Sequence, residues 1–337
     1  MAPAARDDRR HALLSRAHAP AQAELDLYGS GAEARAAARR LDPQSGYNVQ
    51  ELEVKSALTR FGMPGSDTWS LNPYMGCSHD CVYCYVPDVA HIERARYGSY
   101  VVVKRNLPTV LAHELKTKAR KQVFLSSATD PYQPAEGVYR VTRRALELLS
   151  RADWPVRVLT RNPLVRRDID LFHTFSDFRV GMSVPTLDDA ARRVLEPGAP
   201  SIAGRLAALR DLADAGLRPF ANLAPAYPFT GGVGPRDIAA AFRDAGVAEV
   251  IAGPWKYLEG VMPALRDRVR GTLYDDFNQV VLRRDYYDRM FRALEAACAR
   301  EGVPLRRMRE MSPGRPSGSA AAPPPAPGEA DPPYAIG

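Results

Sequence analysis

The sequence has no apolar run long enough to cross a bilayer, and the residues after Met1 lack the apolar core of a secretory signal. Cysteine is scarce: four among 337 residues, without the even spacing of a disulfide framework, which points to a reducing interior. The expectation is a cytoplasmic chain with no membrane partner. No segment repeats at a solenoid period, and no known nucleic-acid-binding module can be read from it. Charge of one sign is also in short supply, since 46 basic side chains face 39 acidic ones for a net charge of +7. An excess that mild, spread over stretches such as Arg266-Asp-Arg268-Val-Arg270, reads first as solvated helix faces. It still permits a phosphate-bearing substrate.

The few cysteines present are not spread out. Three of the four fall within eight residues, in Ser70-Leu-Asn-Pro-Tyr-Met-Gly-Cys77-Ser-His-Asp-Cys81-Val-Tyr-Cys84-Tyr85. Thiols that close together make poor disulfides and suit a soft metal centre. Three thiolates satisfy three irons of a [4Fe–4S] cubane and leave the fourth open, whereas an electron-carrying cluster normally takes four. Gly76 suits a backbone bending tightly round such a centre, and Pro73 keeps the approach out of helix. The competing reading is a zinc site of Cys77, His79, Cys81 and Cys84. Structural zinc sites, however, usually split their ligands into two pairs on separate turns, and His79 is caught between two cysteines.

Residues 1–45 read as a flexible polar arm, with a helix through Ala32–Arg40. Residues 306–337 read as a disordered tail, because a run such as Ala-Ala-Ala-Pro-Pro-Pro-Ala-Pro offers almost nothing to a core. Between them, 46–305 reads as one core domain in which strands and helices alternate. Strands are expected at Thr68–Pro73, Gln122–Ser126, Val156–Thr160, Arg179–Val184, Arg218–Ala224 and Glu249–Ala252. Helices are expected at Leu107–Ala119, Tyr139–Ser150, Val165–Phe175, Ser201–Ala215, Pro235–Ala245 and Tyr286–Arg300, with Gly216, Gly246 and Gly302 as stops. This alternation predicts an α/β fold, a parallel sheet with helices outside, and chemistry at the C-terminal strand ends. Six units are too few for a closed eight-stranded barrel.

The cysteine spacing, with Tyr83 before the last one, resembles the signature of the radical S-adenosylmethionine (SAM) enzymes. The wider wording, Asn72-Pro-Tyr-x-Gly-Cys77…Cys81-x-Tyr-Cys84-Tyr85, is similar to the branch that includes spore photoproduct lyase. The resemblance implies a partial (β/α)6 barrel, a [4Fe–4S] cluster on Cys77, Cys81 and Cys84, and S-adenosyl-L-methionine chelated to the open iron. One electron, from a flavodoxin- or ferredoxin-type donor, would then release a 5′-deoxyadenosyl radical that takes hydrogen from a substrate, with a nucleotide or nucleic acid permitted. It further implies cosubstrate contacts from Tyr83, Ser126, Asp130, Arg161, Ser183 and Pro225, which fall at or beside successive strand ends. The usual Gly-Gly-Glu-like turn is missing, and Ser126, Thr129 and Asp130 stand in its place. Tyr85, Tyr132, Tyr227, Trp255 and Tyr257 are candidate rim aromatics. The lyases carry a cysteine as hydrogen donor just before their strand-end Thr-Ser-Asp, where this chain has Ser127. The remaining Cys298 reads as a core residue on the last helix. Spore photoproduct repair by that route is therefore not expected. The alternative of another class is a nucleic-acid-binding protein clamped by zinc or an inert cluster.

Overall fold

A computed structural model of the chain describes residues 36–41 (backbone only), 48–61, 66–256 and 258–308. Among the described residues twelve strands run in chain order as β1 (Ala36–Leu41), β2 (Asn48–Leu52), β3 (Leu58–Arg60), β4 (Thr68–Leu71), β5 (Tyr74–Met75), β6 (Tyr100–Lys104), β7 (Gln122–Leu125), β8 (Val156–Thr160), β9 (Phe178–Ser183), β10 (Phe220–Leu223), β11 (Glu249–Ala252) and β12 (Leu305–Arg307). The helices between them are α1 (Val86–Val89), α2 (Leu107–Thr117), α3 (Pro134–Tyr139), α4 (Val141–Arg151), α5 (Ile169–Phe172), α6 (Asp189–Leu195), α7 (Ile202–Asp214), α8 (Pro235–Asp244), α9 (Leu258–Val269), α10 (Phe277–Val280) and α11 (Arg284–Arg300).

One eight-stranded sheet takes the order β12-β11-β10-β9-β8-β7-β4-β3. Every neighbouring pair is parallel except β3 with β4, and the two edge strands do not pair with each other. The sheet is thus a partial barrel, open between β12 and β3. Parallel strands covered on both faces read as continuous apolar runs. Val123-Phe124-Leu125 and Val250-Ile251-Ala252 are of that kind, and all six are buried. One face packs under the helices in the main core. On the other, Phe61, Phe124, Phe220 and Ile251 form a separate cluster flanked by Leu159 and Met308. Gly181 makes room for it, since a Cβ there would lie 2.4 Å from the Phe220 ring.

All six expected strands are present and carry the parallel frame. Four-stranded β1-β2-β6-β5 is an addition, as are both edge strands β3 and β12. The helix expected through Ala32–Arg40 is replaced over Ala36–Leu41 by β1, paired antiparallel with β2, and residues 32–35 lie outside the described residues. Ala and Arg favour helix intrinsically, but strand pairing overrides so weak a preference. The helix expected over Tyr139–Ser150 is divided at Arg140, whose φ of +52° separates α3 from α4. The one expected over Val165–Phe175 is a 3₁₀ stretch, Pro163–Asp168, running into the short α5. Paired backbone also runs past the expected boundary at residue 305, through Arg307 of β12. Beyond Met308 the expected tail lies outside the described residues, as does Tyr257. Among the described residues no helix is long and apolar enough to cross a membrane.

Candidate cofactor site at the mouth of the barrel

The loop that leaves β4 bends at Asn72-Pro73 and passes through β5 to the cysteines. Asn72 fixes the exit: its amide donates to Ser70 Oγ at 3.0 Å and its carbonyl accepts from Ala128 N at 2.9 Å. Gly76 has a φ of +69°, and a Cβ there would sit 2.5 Å from the Tyr100 carbonyl oxygen. No other residue fits that turn without displacing backbone. Two side chains from the loop after β7 brace the first cysteine. Thr129 Oγ1 donates to the Gly76 carbonyl at 2.6 Å, while Gln133 donates to the same carbonyl at 3.3 Å and accepts from Ser78 N at 3.2 Å. On the far side Arg94 donates to the carbonyls of Val82 and Cys84 at 3.1 and 2.9 Å.

Cys77, Cys81 and Cys84 line one pocket where the C-terminal ends of the parallel strands converge. All three are free thiols. Burial dominates each of them and pushes it up, Cys77 to about 12 with the Asp130 carboxylate adding to the effect. A metal centre binding here must displace those protons. The donor set is three soft sulfurs, and among the described residues no group of three or more His, Cys, Asp or Glu is placed to hold a single metal ion. His79 of the alternative zinc set is not among the residues that line the pocket. Its Nδ1 lies 3.5 Å from Asp130, and burial pushes the imidazole down to about 4, so the ring is neutral. Three soft thiolates match in number and kind the three protein-held irons of a [4Fe–4S] cluster.

The six other residues singled out from the sequence, Tyr83, Ser126, Asp130, Arg161, Ser183 and Pro225, line the same pocket. Ser126 follows β7 with a φ of +67°, and its buried Oγ has no protein partner. An L-residue held in that region at a cleft is the kind of strain found where a side chain must be aimed. Arg161, after β8, keeps its Nε buried and without a hydrogen bond while one terminal nitrogen donates to Tyr83 Oη at 3.2 Å. Asp130 is committed inside the protein: Oδ1 accepts from Tyr132 N and Thr160 Oγ1 at 2.9 and 2.6 Å, and Oδ2 from Arg161 N at 2.8 Å. It ties the end of β7 to the end of β8. Pro225 follows a cis peptide bond from Ala224.

Tyr83 is clamped edge-to-face between Tyr227 and Trp255, with centroids 5.8 and 5.3 Å away, and its hydroxyl donates to Glu196. Tyr85 lines the pocket and donates to the Ser127 carbonyl. Tyr132 does not reach it, being fully buried behind the loop. Ser127 Oγ shares a 2.7 Å hydrogen bond with Ser70 Oγ at the pocket wall. Cys298 is buried on α11, away from the pocket. Asn222, Lys256 and Met308 also line the site and were not singled out from the sequence. Asn222 carried a readable signal, a polar residue in the otherwise apolar strand β10; Lys256 and Met308 carried none.

A parallel partial barrel, with three thiols and a half-buried arginine gathered at its C-terminal mouth, defines an α/β protein with a sulfur-lined polar cleft. Residues 71–249 match the Radical SAM superfamily, over more than half of the chain. The chain belongs to that superfamily, whose members use an iron–sulfur cluster and S-adenosyl-L-methionine. An uncharacterized protein of Methanocaldococcus jannaschii is 31% identical over 182 residues, covering 53% of this chain and 68% of that one. Another, of Mycobacterium tuberculosis strain H37Rv, is 33% identical over 196 residues, covering 54% and 57%. Among solved structures, a mutant spore photoproduct lyase superposes with a TM-score of 0.58 at 18% identity, covering 76% of this chain and 80% of that one. A further mutant of that lyase, with bound AdoMet and dinucleoside spore photoproduct, gives 0.54 at 19% identity, covering 73% and 78%. The likeness is one of fold.

Proposed function

We propose that this chain is a radical SAM enzyme acting on a nucleotide or nucleic acid, in a reducing cytoplasm and with a flavodoxin- or ferredoxin-type electron donor. The observation that carries it is the convergence of three free thiols and the six expected side chains on one pocket. Cys77, Cys81 and Cys84 would hold a [4Fe–4S] cluster, which when bound and reduced supplies the electron that breaks the sulfonium C–S bond of S-adenosylmethionine. Arg161 offers a fixed cation to the cosubstrate carboxylate, and Ser126 Oγ an acceptor to its ammonium. Ser183 and Asn222, opposite each other on β9 and β10, present a polar wall suited to a ribose. Asp130 acts one step back, by positioning the backbone of Arg161. The nucleic-acid assignment rests on the lyase fold and the net charge of +7. Ser127 is no hydrogen donor, because an O–H bond is too strong to be cleaved by a carbon-centred product radical, so the reaction ends differently from lesion repair by a cysteine.

The test is anaerobic reconstitution followed by dithionite and S-adenosylmethionine. Formation of 5′-deoxyadenosine is expected, and serine at any one of Cys77, Cys81 or Cys84 should abolish it. Full cluster loading with no product would overturn the proposal.

A further inference from the structure

Behind the pocket wall lies a charged group that no motif announces. Glu196 follows the last turn of α6 and is fully buried, as is Arg205 on α7, with which it forms an ion pair. Two buried charges in a parallel-barrel wall cost desolvation that simple packing would avoid. Their connections show what the pair holds. Glu196 Oε1 accepts the Tyr83 hydroxyl and lies 3.6 Å from Arg161 Nε; Oε2 accepts from Arg205. Arg205 in turn donates to the Ser183 carbonyl at 3.0 Å and to the Pro200 carbonyl at 3.1 Å. One carboxylate therefore links the cysteine loop, the end of β8 and the end of β9.

The backbone around Glu196 makes the same connection. Leu195 O accepts from Val82 N at 2.9 Å, and Gly198 N donates to His79 O at 3.1 Å. The segment 195–198 thus runs along the cysteine loop. Charge agrees with geometry: burial opposes ionisation of Glu196, but Arg205 and Arg161 more than offset it and hold the carboxyl below its ordinary range. It is an anion at neutral pH, able to keep both guanidiniums and the phenol in fixed directions.

We infer that Glu196 is a positioning residue for the cosubstrate: it orients Arg161 and Tyr83 so that the pocket is preorganised for the carboxylate end of S-adenosylmethionine. This rests on the reading of the pocket given under Proposed function. Glu196 touches neither cluster nor cosubstrate, so its removal should weaken binding far more than turnover. A rigid cation spends no binding free energy on being ordered, and a loosened one does.

The experiment compares the parent with Glu196→Gln, each with its cluster reconstituted and quantified as iron and sulfide. Two readouts are titrated with S-adenosylmethionine: the change in the EPR signal of the reduced cluster, and the rate of 5′-deoxyadenosine formation. The expected result is a half-saturating concentration raised roughly tenfold. The saturating rate should stay within about threefold of the parent. A half-saturation raised less than about threefold in a cluster-loaded variant overturns the inference. A merely structural role would lower thermal stability and cluster content and leave that half-saturation alone. If Glu196→Gln fails to fold or load, Tyr83→Phe carries the test, since it removes one hydroxyl and leaves the Glu196–Arg205 pair intact. The same rise is expected there, and an unchanged half-saturation again overturns the inference. A parent that loads its cluster and never responds to the cosubstrate defeats the functional reading itself. A responsive parent whose variants keep the parental half-saturation defeats only the role of Glu196.

Discussion

Asp130 shows how a residue picked for chemistry can turn out to do its work through structure. Its three accepted hydrogen bonds come from two backbone N–H groups and a threonine hydroxyl. An amide in its place must point a donor at one of those donors or give up the bond. Losing one charge-assisted bond and leaving a buried donor unsatisfied costs about 2–3 kcal/mol. For Asp130→Asn, thermal unfolding of the cluster-free protein should shift down by roughly 3–5 °C. An unchanged midpoint would show that the carboxylate is not the fastener of β7 to β8. Gly198 gives a second case. A Cβ there would stand 2.0 Å from the Ser78 carbonyl oxygen and 3.1 Å from His79 Cα, both backbone of the cysteine loop. Overpacking against such a wall costs about 1–3 kcal/mol. Gly198→Ala should therefore fold but reconstitute with clearly less iron per chain than the parent, and parental loading would contradict it. The cysteine trio was legible because its spacing carries it, and the strand-end residues only through the resemblance that this spacing supports. Glu196, Arg205 and Gly198 were not, because their partners lie far away in sequence and no local pattern marks a buried ion pair or a close backbone approach.

At the scale of elements, what could be read from sequence was whatever is decided locally. The six parallel strands of the frame are short apolar runs set between amphipathic stretches, and alternation of that kind has few other solutions. Edge strands are different: Leu305–Arg307 is three residues of mixed polarity that become a strand only by pairing with β11. Tyr100–Lys104, by contrast, holds three consecutive valines and could have been read as β6. The start of α6 has its own device. Asp188 accepts from Ala190 N and Ala191 N at 2.9 and 3.1 Å, from Thr230 Oγ1 at 2.8 Å and from Tyr274 Oη at 3.0 Å. It thereby ties the helix that leads to Glu196 to two loops further along the chain. Burial works against its charge, but those hydrogen bonds outweigh burial and hold the carboxyl below the usual range. A group depressed in the folded state stabilises the fold above its unfolded pKa, about 3.9, and loses that contribution as pH falls through the folded value. The stability gap between parent and Asp188→Asn should thus be widest near neutrality and narrow below about pH 4. Thermal melts from neutral to acid pH measure it, and a gap independent of pH would exclude this role.

Taken whole, the molecule has a core that extends far beyond its cysteine loop, although Cys77 and Cys81 are part of it. The main core runs under the helices along the length of the sheet, from Leu71 and Val123 to Ala252, and the thiols sit at its C-terminal rim. Small metal-clamped domains behave otherwise, since they lack a core and unfold without their metal. Here the cluster is expected to be a ligand of a barrel that folds by itself. Chelation under anaerobic conditions should leave a protein that still melts cooperatively, because nothing in the parallel sheet depends on the sulfurs. Anything that binds only the folded state adds stability by mass action, about 2.7 kcal/mol at a hundredfold excess over its dissociation constant. For a chain of this size that corresponds to a rise in the melting midpoint of roughly 4–5 °C on loading. On the reading under Proposed function, with the open iron as its principal anchor, S-adenosylmethionine should produce a second, smaller rise in the loaded form and none in the stripped one. Calorimetry of the stripped, loaded and cosubstrate-saturated forms tests the order. A stripped chain with no cooperative transition would make the cysteine loop part of the folding core. An equal response to S-adenosylmethionine with and without cluster would put the cosubstrate's main hold on the protein walls, with Arg161 rather than iron as its anchor.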